Sequence, residues 1–344
     1  MNLNLLPVKL EISFGLEALY ERVKNNSNIV FLVDENTQEF CLPKLQLPFV
    51  AKVICIKSGE IHKTLATIEF IWSELLKLNA NRKTVIINLG GGVLTDLGGF
   101  AASTYQRGIA FINIPTTLMG MVDAANGGKT GFNFGGYKNY IGTFCKPEQL
   151  IIYPDFLETL PFKHLRSGYA EMLKHGLIAD KEYFFDTYIN LNLSGLNKDL
   201  SGWIERSIEI KSEIISLDFK ESGLRKLLNF GHTIGHAIES ELQPLLHGDC
   251  IAAGMICEAW LSYNNGLLSI DNFNTIITKI DSSFKRIGLS DEVCEAIISN
   301  CMRDKKNHSD KILCVQLEAI GKAVYDIEVS QIQIEQSIAF YRGI

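Results

Sequence analysis

Five apolar runs punctuate the first half of the chain: Ile29–Val33, Val50–Ile56, Val85–Leu89, Phe111–Ile114 and Leu150–Tyr153. Each is short, apolar almost throughout and bounded by polar or glycine-containing segments, the pattern of strands buried on both faces. Between the second and third runs the period changes. Ile68, Phe70, Ile71, Trp72, Leu75 and Leu76 form a broad stripe at helical spacing. Strands alternating with helices predict a parallel sheet covered by helices. Such sheets bind ligands beyond the carboxyl ends of their strands, and Asp34, Glu60, Gly91, Thr116 and Thr117 all fall just after a predicted strand.

Beyond Pro154 the pattern turns helical, with predicted helices near 163–180, 198–217, 224–242, 248–264, 271–286 and 291–303. A short strand pair, Ile312–Leu317 and Ala323–Ile327, turns around Gly321 before a last helix. Pro154 and Pro161 mark the change of character near 155–162. The expectation is an α/β, Rossmann-like dinucleotide-binding domain over residues 1–158 and a mainly α-helical domain over residues 159–344.

A chain of 344 residues, 47% hydrophobic, has enough apolar material for two cores. Its 33 basic and 39 acidic residues are mixed, which argues against a nucleic-acid partner. An anionic substrate must therefore be met by a local cluster of cations. Eight cysteines (41, 55, 145, 250, 257, 294, 301 and 314) show no C-x-x-C spacing, and several sit in apolar runs. This reads as free thiols in a reducing compartment. Met1–Pro7 lacks a charged leader and a cleavage site, and no apolar stretch reaches the roughly 18–20 residues of a membrane span. A cytoplasmic protein with no membrane partner is expected.

Two segments have the composition of phosphate-binding loops. Leu89-Gly90-Gly91-Gly92-Val93-Leu94-Thr95-Asp96 joins a predicted strand to a predicted helix. Glycines there let the backbone approach a pyrophosphate, and a helix N-terminus offers N–H donors. Asp123-Ala124-Ala125-Asn126-Gly127-Gly128-Lys129-Thr130-Gly131, followed by Lys138-Asn139, brings a carboxylate and two lysines into a loop. Neither segment fits G-x-G-x-x-G or G-x-x-x-x-G-K-[ST], and each glycine cluster alone reads equally well as a tight turn.

The second half suggests a metal. His232 and His236 lie four residues apart, on one helical face; His247 precedes another predicted helix, and Glu171 stands one turn before Lys174. Two or three imidazoles with a carboxylate match a zinc site with an open position for substrate. Spacing alone favours His232 and His236 as a pair of ligands. A lone histidine on a helix is more often an ordinary polar group.

In this order the motifs resemble those of the 3-dehydroquinate synthase family of the shikimate pathway. The resemblance runs from Lys57-Ser58-Gly59-Glu60 to Asp304-Lys305-Lys306-Asn307. It includes Gly90-Gly91-Gly92-Val93-x-x-Asp96, Tyr105-Gln106-Arg107-Gly108, Pro115-Thr116-Thr117-Leu118, Gly127-Gly128-Lys129-Thr130-Gly131 and Leu228-Asn229-x-Gly231-His232-x-x-Gly235-His236. Asp123-Ala124-Ala125-Asn126 departs from the family's more usual pair of serines and an aliphatic residue.

The resemblance implies zinc, with cobalt as a substitute, on Glu171, His232 and His247, which leaves His236 in the pocket. It implies NAD contacts at Asp34, Ser58, Gly59, Glu60, Lys63, Gly91, Gly92, Asp96, Thr116, Thr117, Asp123, Lys129, Lys138 and Phe156, Leu157, Glu158 and Thr159. Catalytic roles map onto Asp123, Lys129, Lys174, Asn229 and His236. Substrate contacts map onto Arg107, Asn139, Lys211, Arg225 and one of Lys305 or Lys306. The substrate implied is a phosphorylated sugar acid, 3-deoxy-D-arabino-heptulosonate 7-phosphate. It would be oxidised transiently by NAD, lose phosphate by β-elimination, be reduced again and close by an intramolecular aldol step. In the family, much of the proton removal is credited to the substrate's own phosphate. The family arginine matching Arg107 reaches a neighbour's site, which implies a homodimer.

Three other readings compete: another sugar phosphate cyclase, a metal-dependent alcohol or glycerol dehydrogenase, and a non-catalytic nucleotide-sensing module. The first would not need Arg225 for a carboxylate. The second would release NADH and has less use for so many phosphate-directed cations. The third predicts lesions in the metal set or the pocket, and the sequence shows none.

Overall fold

The computed structural model describes residues 10–24, 28–188, 200–303 and 312–343. The chain forms two compact units, Met1–Pro161 and Phe162–Ile344. The first contains strands β1 (Glu11–Phe14), β2 (Ile29–Asp34), β3 (Lys52–Ile56), β4 (Val85–Gly90), β5 (Ala110–Pro115), β6 (Lys129–Phe134), β7 (Tyr137–Phe144) and β8 (Gln149–Ile152). Its helices are α1 (Glu17–Lys24), α2 (Glu35–Phe40), α3 (Leu65–Lys77) and α4 (Gly92–Thr104).

Six strands form one parallel sheet in the order β1-β8-β5-β4-β2-β3. Every residue of β4 is buried, as a central strand covered on both faces requires. The order reverses between β2 and β4, so the crevice beyond Asp34 and Gly90 is the topological switch point where such sheets take ligands. The helical side of the core joins Ile68, Ile71 and Leu75 of α3 to Leu94, Leu97 and Ala101 of α4 and to Val30, Leu32 and Ile86 of the sheet. Each such fully buried aliphatic side chain contributes about 2 kcal/mol of transfer free energy.

The expected stripe on α3 is too broad. Phe70 and Leu76 are 44% and 65% exposed. Ile68, Ile71 and Leu75 follow the three-then-four spacing of one face, whereas Phe70, two residues from Ile68, points to the other side.

The segment expected as a loop around Lys129–Asn139 is instead an antiparallel hairpin of β6 and β7, with Phe132 opposite Ile141. Gly135 (φ +60°) and Gly136 (φ +83°) form its two-residue turn. Two successive positive φ angles suit the right-handed twist of a hairpin and favour glycine at both places. Edge strand β1 also escaped the sequence reading: it has four residues, none of them fully buried.

The second unit holds α5 (Phe162–Ala179), α6 (Lys181–Asp186), α7 (Leu200–Leu217), α8 (His232–Glu241), α9 (His247–Asn264), α10 (Ile270–Ser283), α11 (Asp291–Arg303) and α12 (Gln331–Arg342), with the hairpin β9 (Ile312–Ala319) and β10 (Lys322–Val329). Helix α9 is apolar almost all round and packs against α5, α8, α10 and α12, the character of a central buried helix.

The single helix expected over 224–242 is broken. Leu224–Asn229 is a 3-10 turn, and α8 starts at His232 after Gly231, whose φ is +78°. A Cβ on Gly231 would also lie 2.5 Å from Met255 Cγ, so both conformation and packing call for glycine. Hydrophobic periodicity runs on through Leu227, Leu228 and Ile234 and does not register this break.

Candidate active site

In the first unit, strand β4 ends at Gly90 and α4 begins at Gly92, with Gly91 as an N-cap that offers no side-chain hydrogen bond. The first N–H groups of a thirteen-residue helix thus have no side-chain cap at the switch point, an arrangement that fits a pyrophosphate. Thr116 N–H donates to Gly90 O (3.1 Å), and Thr117 Oγ1 accepts from Gly120 N–H (3.0 Å). These bonds tie the loop after β5 to the glycine turn and to the π-helical turn Gly120–Ala124 that carries Asp123. Asp34 ends β2 and caps α2, accepting from Thr37 N–H at 2.8 Å.

Lys63 is buried, and its ammonium donates to Asp96 Oδ2 (2.6 Å) and to Asn139 Oδ1. Asn133 links the same group: its Nδ2 donates to Glu60 Oε1 (2.8 Å), and its Oδ1 accepts from Asn139 N–H (2.8 Å). Glu60, Lys63, Asp96 and Asn139, distant in sequence, thus share one network. Ser58 N–H donates to Glu35 (2.7 Å), beside Gly59. Lys129 and Lys138 sit exposed on the hairpin. Phe156 and Leu157 are buried in the 3-10 turn Pro154–Thr159, while Glu158 pairs with Lys44 (2.9 Å). Arg107 is exposed in a turn where both Gln106 (φ +49°) and Arg107 (φ +70°) are left-handed. Such strain is uncommon outside glycine and often accompanies a functional position.

The second unit assembles the other group. Glu171 and Lys174 are fully buried on α5 and form an ion pair. His232 opens α8 and His247 opens α9; the Nε2 of each lies 3.5 Å from Glu171 Oε1. His232, His236 and His247 offer nitrogens within 4.8 Å of one another. His236 is the exposed member, His232 is buried and His247 half-buried.

Two contacts orient the rings. His232 Nδ1–H donates to Phe230 O (3.0 Å), and His247 Nδ1–H donates to Glu239 Oε2 (3.0 Å). Both Nε2 atoms therefore face Glu171 Oε1, while Glu171 Oε2 meets the Lys174 ammonium. Two imidazole nitrogens, each 3.5 Å from one carboxylate oxygen, fit a zinc ion placed among them.

The charges agree with that reading. Burial opposes ionisation of Glu171, yet Lys174 and the two imidazoles hold its carboxyl well below the usual carboxylate range. Burial, then the Lys174 charge, pushes His232 well below the usual histidine value. Burial also opposes a cation at His247, but Glu171 and Glu239 outweigh it and push the group up to about 9. A metal ion would take over the charge that this proton carries.

The family models for the 3-dehydroquinate synthase N-terminal and C-terminal domains match residues 53–167 and 168–307. A 3-dehydroquinate synthase of Parabacteroides distasonis is 38% identical over 325 residues, 91% of each chain. Another, from Clostridium tetani, is 36% identical over 96% of this chain and 91% of its own.

This chain belongs to the 3-dehydroquinate synthase family.

A solved 2-epi-5-epi-valiolone synthase from Streptomyces hygroscopicus, with NAD+ and Zn2+ bound, superposes with a TM-score of 0.85 at 25% identity, covering 98% of this chain and 97% of its own. Family membership gives the remaining buried cations a context. Lys211 of α7 and Arg225 are buried, and Asn229 Nδ2 donates to Glu221 (2.6 Å). Arg225 Nη1 donates to Phe219 O (2.5 Å). Asp218 holds the loop before it, accepting from the N–H groups of Ser222 (3.0 Å), Gly223 (2.7 Å) and Arg225 (3.1 Å). Lys305 and Lys306 lie outside the described residues.

Sequence reasoning left several supporting residues without a role. Asn133, six residues before Asn139, joins two motifs that were read separately. Glu258 on α9 is buried and accepts from Gly231 N–H (2.7 Å), Thr233 N–H (3.0 Å) and Ile234 N–H (3.3 Å), capping the helix that carries His232. Arg166 grips Asp249 with two hydrogen bonds of 3.1 Å, fixing the start of α9 against α5. None of the three has a motif of its own. Their signal lies only in contacts between segments.

Proposed function

We propose that this enzyme converts 3-deoxy-D-arabino-heptulosonate 7-phosphate to 3-dehydroquinate and phosphate, as a carbon–oxygen lyase. What carries the reading is the convergence of Glu171, His232 and His247 beside Lys174, in a chain matched along most of its length by relatives of that name. When bound, NAD+ and zinc supply transient oxidation and polarisation of a substrate hydroxyl. The glycine turn, Asp34, Ser58, Gly59, Glu60, Lys63, Asp96, Thr116, Thr117, Lys138 and Phe156–Thr159 hold the nucleotide.

Arg225, with Lys211, binds the substrate carboxylate, to which a guanidinium offers a planar, two-pronged donor set. Lys129, Asn139, Arg107 and the Lys305/Lys306 pair hold the phosphate. Lys174 balances the Glu171 charge and, with Asp123, Asn229 and His236, positions the reacting hydroxyls. The oxidation is reversed within each cycle, so NADH does not accumulate.

The enzyme acts as a homodimer in this reading. In support, hairpin β6–β7 exposes Phe134, Tyr137, Tyr140, Ile141 and Phe144, apolar area that a partner chain would bury. A cytoplasmic location is supported by eight free cysteines. Among the described residues no helix is long and apolar enough to cross a membrane.

The test is incubation with the heptulosonate phosphate and NAD+, following phosphate and the cyclic product together. Stoichiometric release of both without NADH accumulation is expected. NADH accumulation would point to a dehydrogenase. Turnover of a phosphorylated sugar lacking the carboxylate, with none of the sugar acid, would point to another cyclase.

A further inference from the structure

One buried carboxylate beside the metal cluster has no part in the reaction proposed above. Glu239 lies on α8, seven residues after His232, and this spacing returns it to the same helical face. Its side chain is 10% exposed, and its Oε2 lies 3.0 Å from His247 Nδ1. His247 stands at the first position of α9, after the turn that follows α8. The two ligand histidines are therefore held differently: His232 by the neutral carbonyl of Phe230, His247 by a charged carboxylate.

We infer that Glu239 is a positioning residue for the metal centre, fixing the tautomer and orientation of His247 and strengthening its Nε2 as a ligand. The inference rests on the assignment of His247 as a ligand. Its physical basis is general. A carboxylate on the far nitrogen of a ligating imidazole keeps the proton there, aims the near lone pair and raises its basicity. Glu239 also ties α8 to the start of α9, so the His232 and His247 nitrogens face Glu171 before any ion arrives. Such preorganisation lowers the ordering cost of binding.

The experiment compares Glu239→Ala, Glu239→Gln and His247→Ala with the parent in the full-length protein, stripped of metal. Zinc affinity is read by competition with a chromophoric chelator. The visible absorption of the cobalt-loaded protein reports ligand geometry, and metal-free thermal unfolding controls for the fold. Glu239→Ala should weaken zinc binding by about 10–100-fold and alter the cobalt spectrum. Glu239→Gln, whose amide oxygen still accepts from Nδ1–H, should lose less. His247→Ala should abolish tight binding.

Unchanged affinity and spectrum in both Glu239 variants, with binding lost in His247→Ala, would overturn the inference and leave the ligand assignment standing. Tight zinc binding by His247→Ala would sink the ligand assignment itself. If Glu239→Ala does not fold, Glu239→Gln decides: a loss of roughly threefold or more with an altered spectrum supports the role, and no change overturns it.

Discussion

The candidate nucleotide region of the first unit and the metal cluster of the second are built by different means. Around Gly90–Gly92 the donors are backbone N–H groups, supplied wherever a strand turns into a helix with no side chain in the way. Around Glu171 the donors are side chains from α5, α8 and α9, and each needs a partner to aim it: Phe230 O for His232, Glu239 for His247 and Lys174 for Glu171. A backbone-built region should tolerate changes in the surrounding side chains. A side-chain-built site should fail when any one member is removed.

The sharpest test removes Glu171. Glu171→Ala should abolish zinc binding and lower turnover by about a thousandfold or more, the several kcal/mol a catalytic metal supplies. NAD binding, read by fluorescence titration, should stay close to normal, because its candidate contacts belong to the first unit. His236→Ala should keep zinc and lose catalysis. Zinc lost from the His236 variant and kept in a His247 variant would restore the simple helical pair.

Arg225→Ala comes next. Arg225 is buried, so its removal should cost about 2–5 kcal/mol in transition-state binding, read from kcat/KM, as when one member of a buried charged pair is lost. A substrate analogue without the carboxylate should lose far less. Equal losses for both substrates would mean that Arg225 supports the fold and does not read the carboxylate.

The same contrast explains what could be read from the sequence. Strands β2, β4 and β5 are buried runs, and their apolar residues announce them. The glycine turn is local, so strand, turn and helix appear in order. Strand β7 is exposed over most of its length and carries no alternation to betray it. Its turn is made by Gly135 and Gly136, both with positive φ, which a hydrophobic pattern does not register. In the second unit, helical spacing singled out His232 and His236, because four-residue periodicity sees only one helix at a time. Glu171 and His247 are far from His232 in sequence; residue type marked them as candidates, and resemblance to a family joined them to His232 as the proposed ligand set. Gly231, which sets where α8 begins, left no mark on the hydrophobic pattern.

Assembly tests the comparison at an intermediate scale. If Arg107 serves a neighbour's site, Arg107→Ala and Glu171→Ala proteins should each be nearly inactive alone. In a mixed dimer, one site keeps both groups and the other loses both. Subunit exchange should therefore restore about half the activity per mixed dimer, because each complete site works at its normal rate. No recovery, with exchange shown by mass spectrometry, would place Arg107 within its own chain's site.

The smallest effect concerns a backbone-built element in the side-chain-built unit. Burial disfavours the Asp218 charge, but the N–H groups of Gly223, Ser222 and Arg225 outweigh it and bring the carboxyl down to about 2. The folded-state value is below that of an unfolded aspartate, about 3.9. The stabilisation is therefore complete above that unfolded value and disappears as pH falls through about 2. Asp218→Asn should cost about 1 kcal/mol near neutral pH, less than the roughly 1.5–3 kcal/mol of hydrogen bonds to buried charged groups because the loop is partly solvated. The urea midpoints of parent and variant should be separated by a constant amount down to about pH 4 and converge below it. Because this loop also carries Arg225, the variant should raise KM for the sugar acid more than it lowers kcat. Midpoints that stay equally separated to pH 2.5 would mean that Asp218 acts by shape and hydrogen-bond count, with no contribution from its charge.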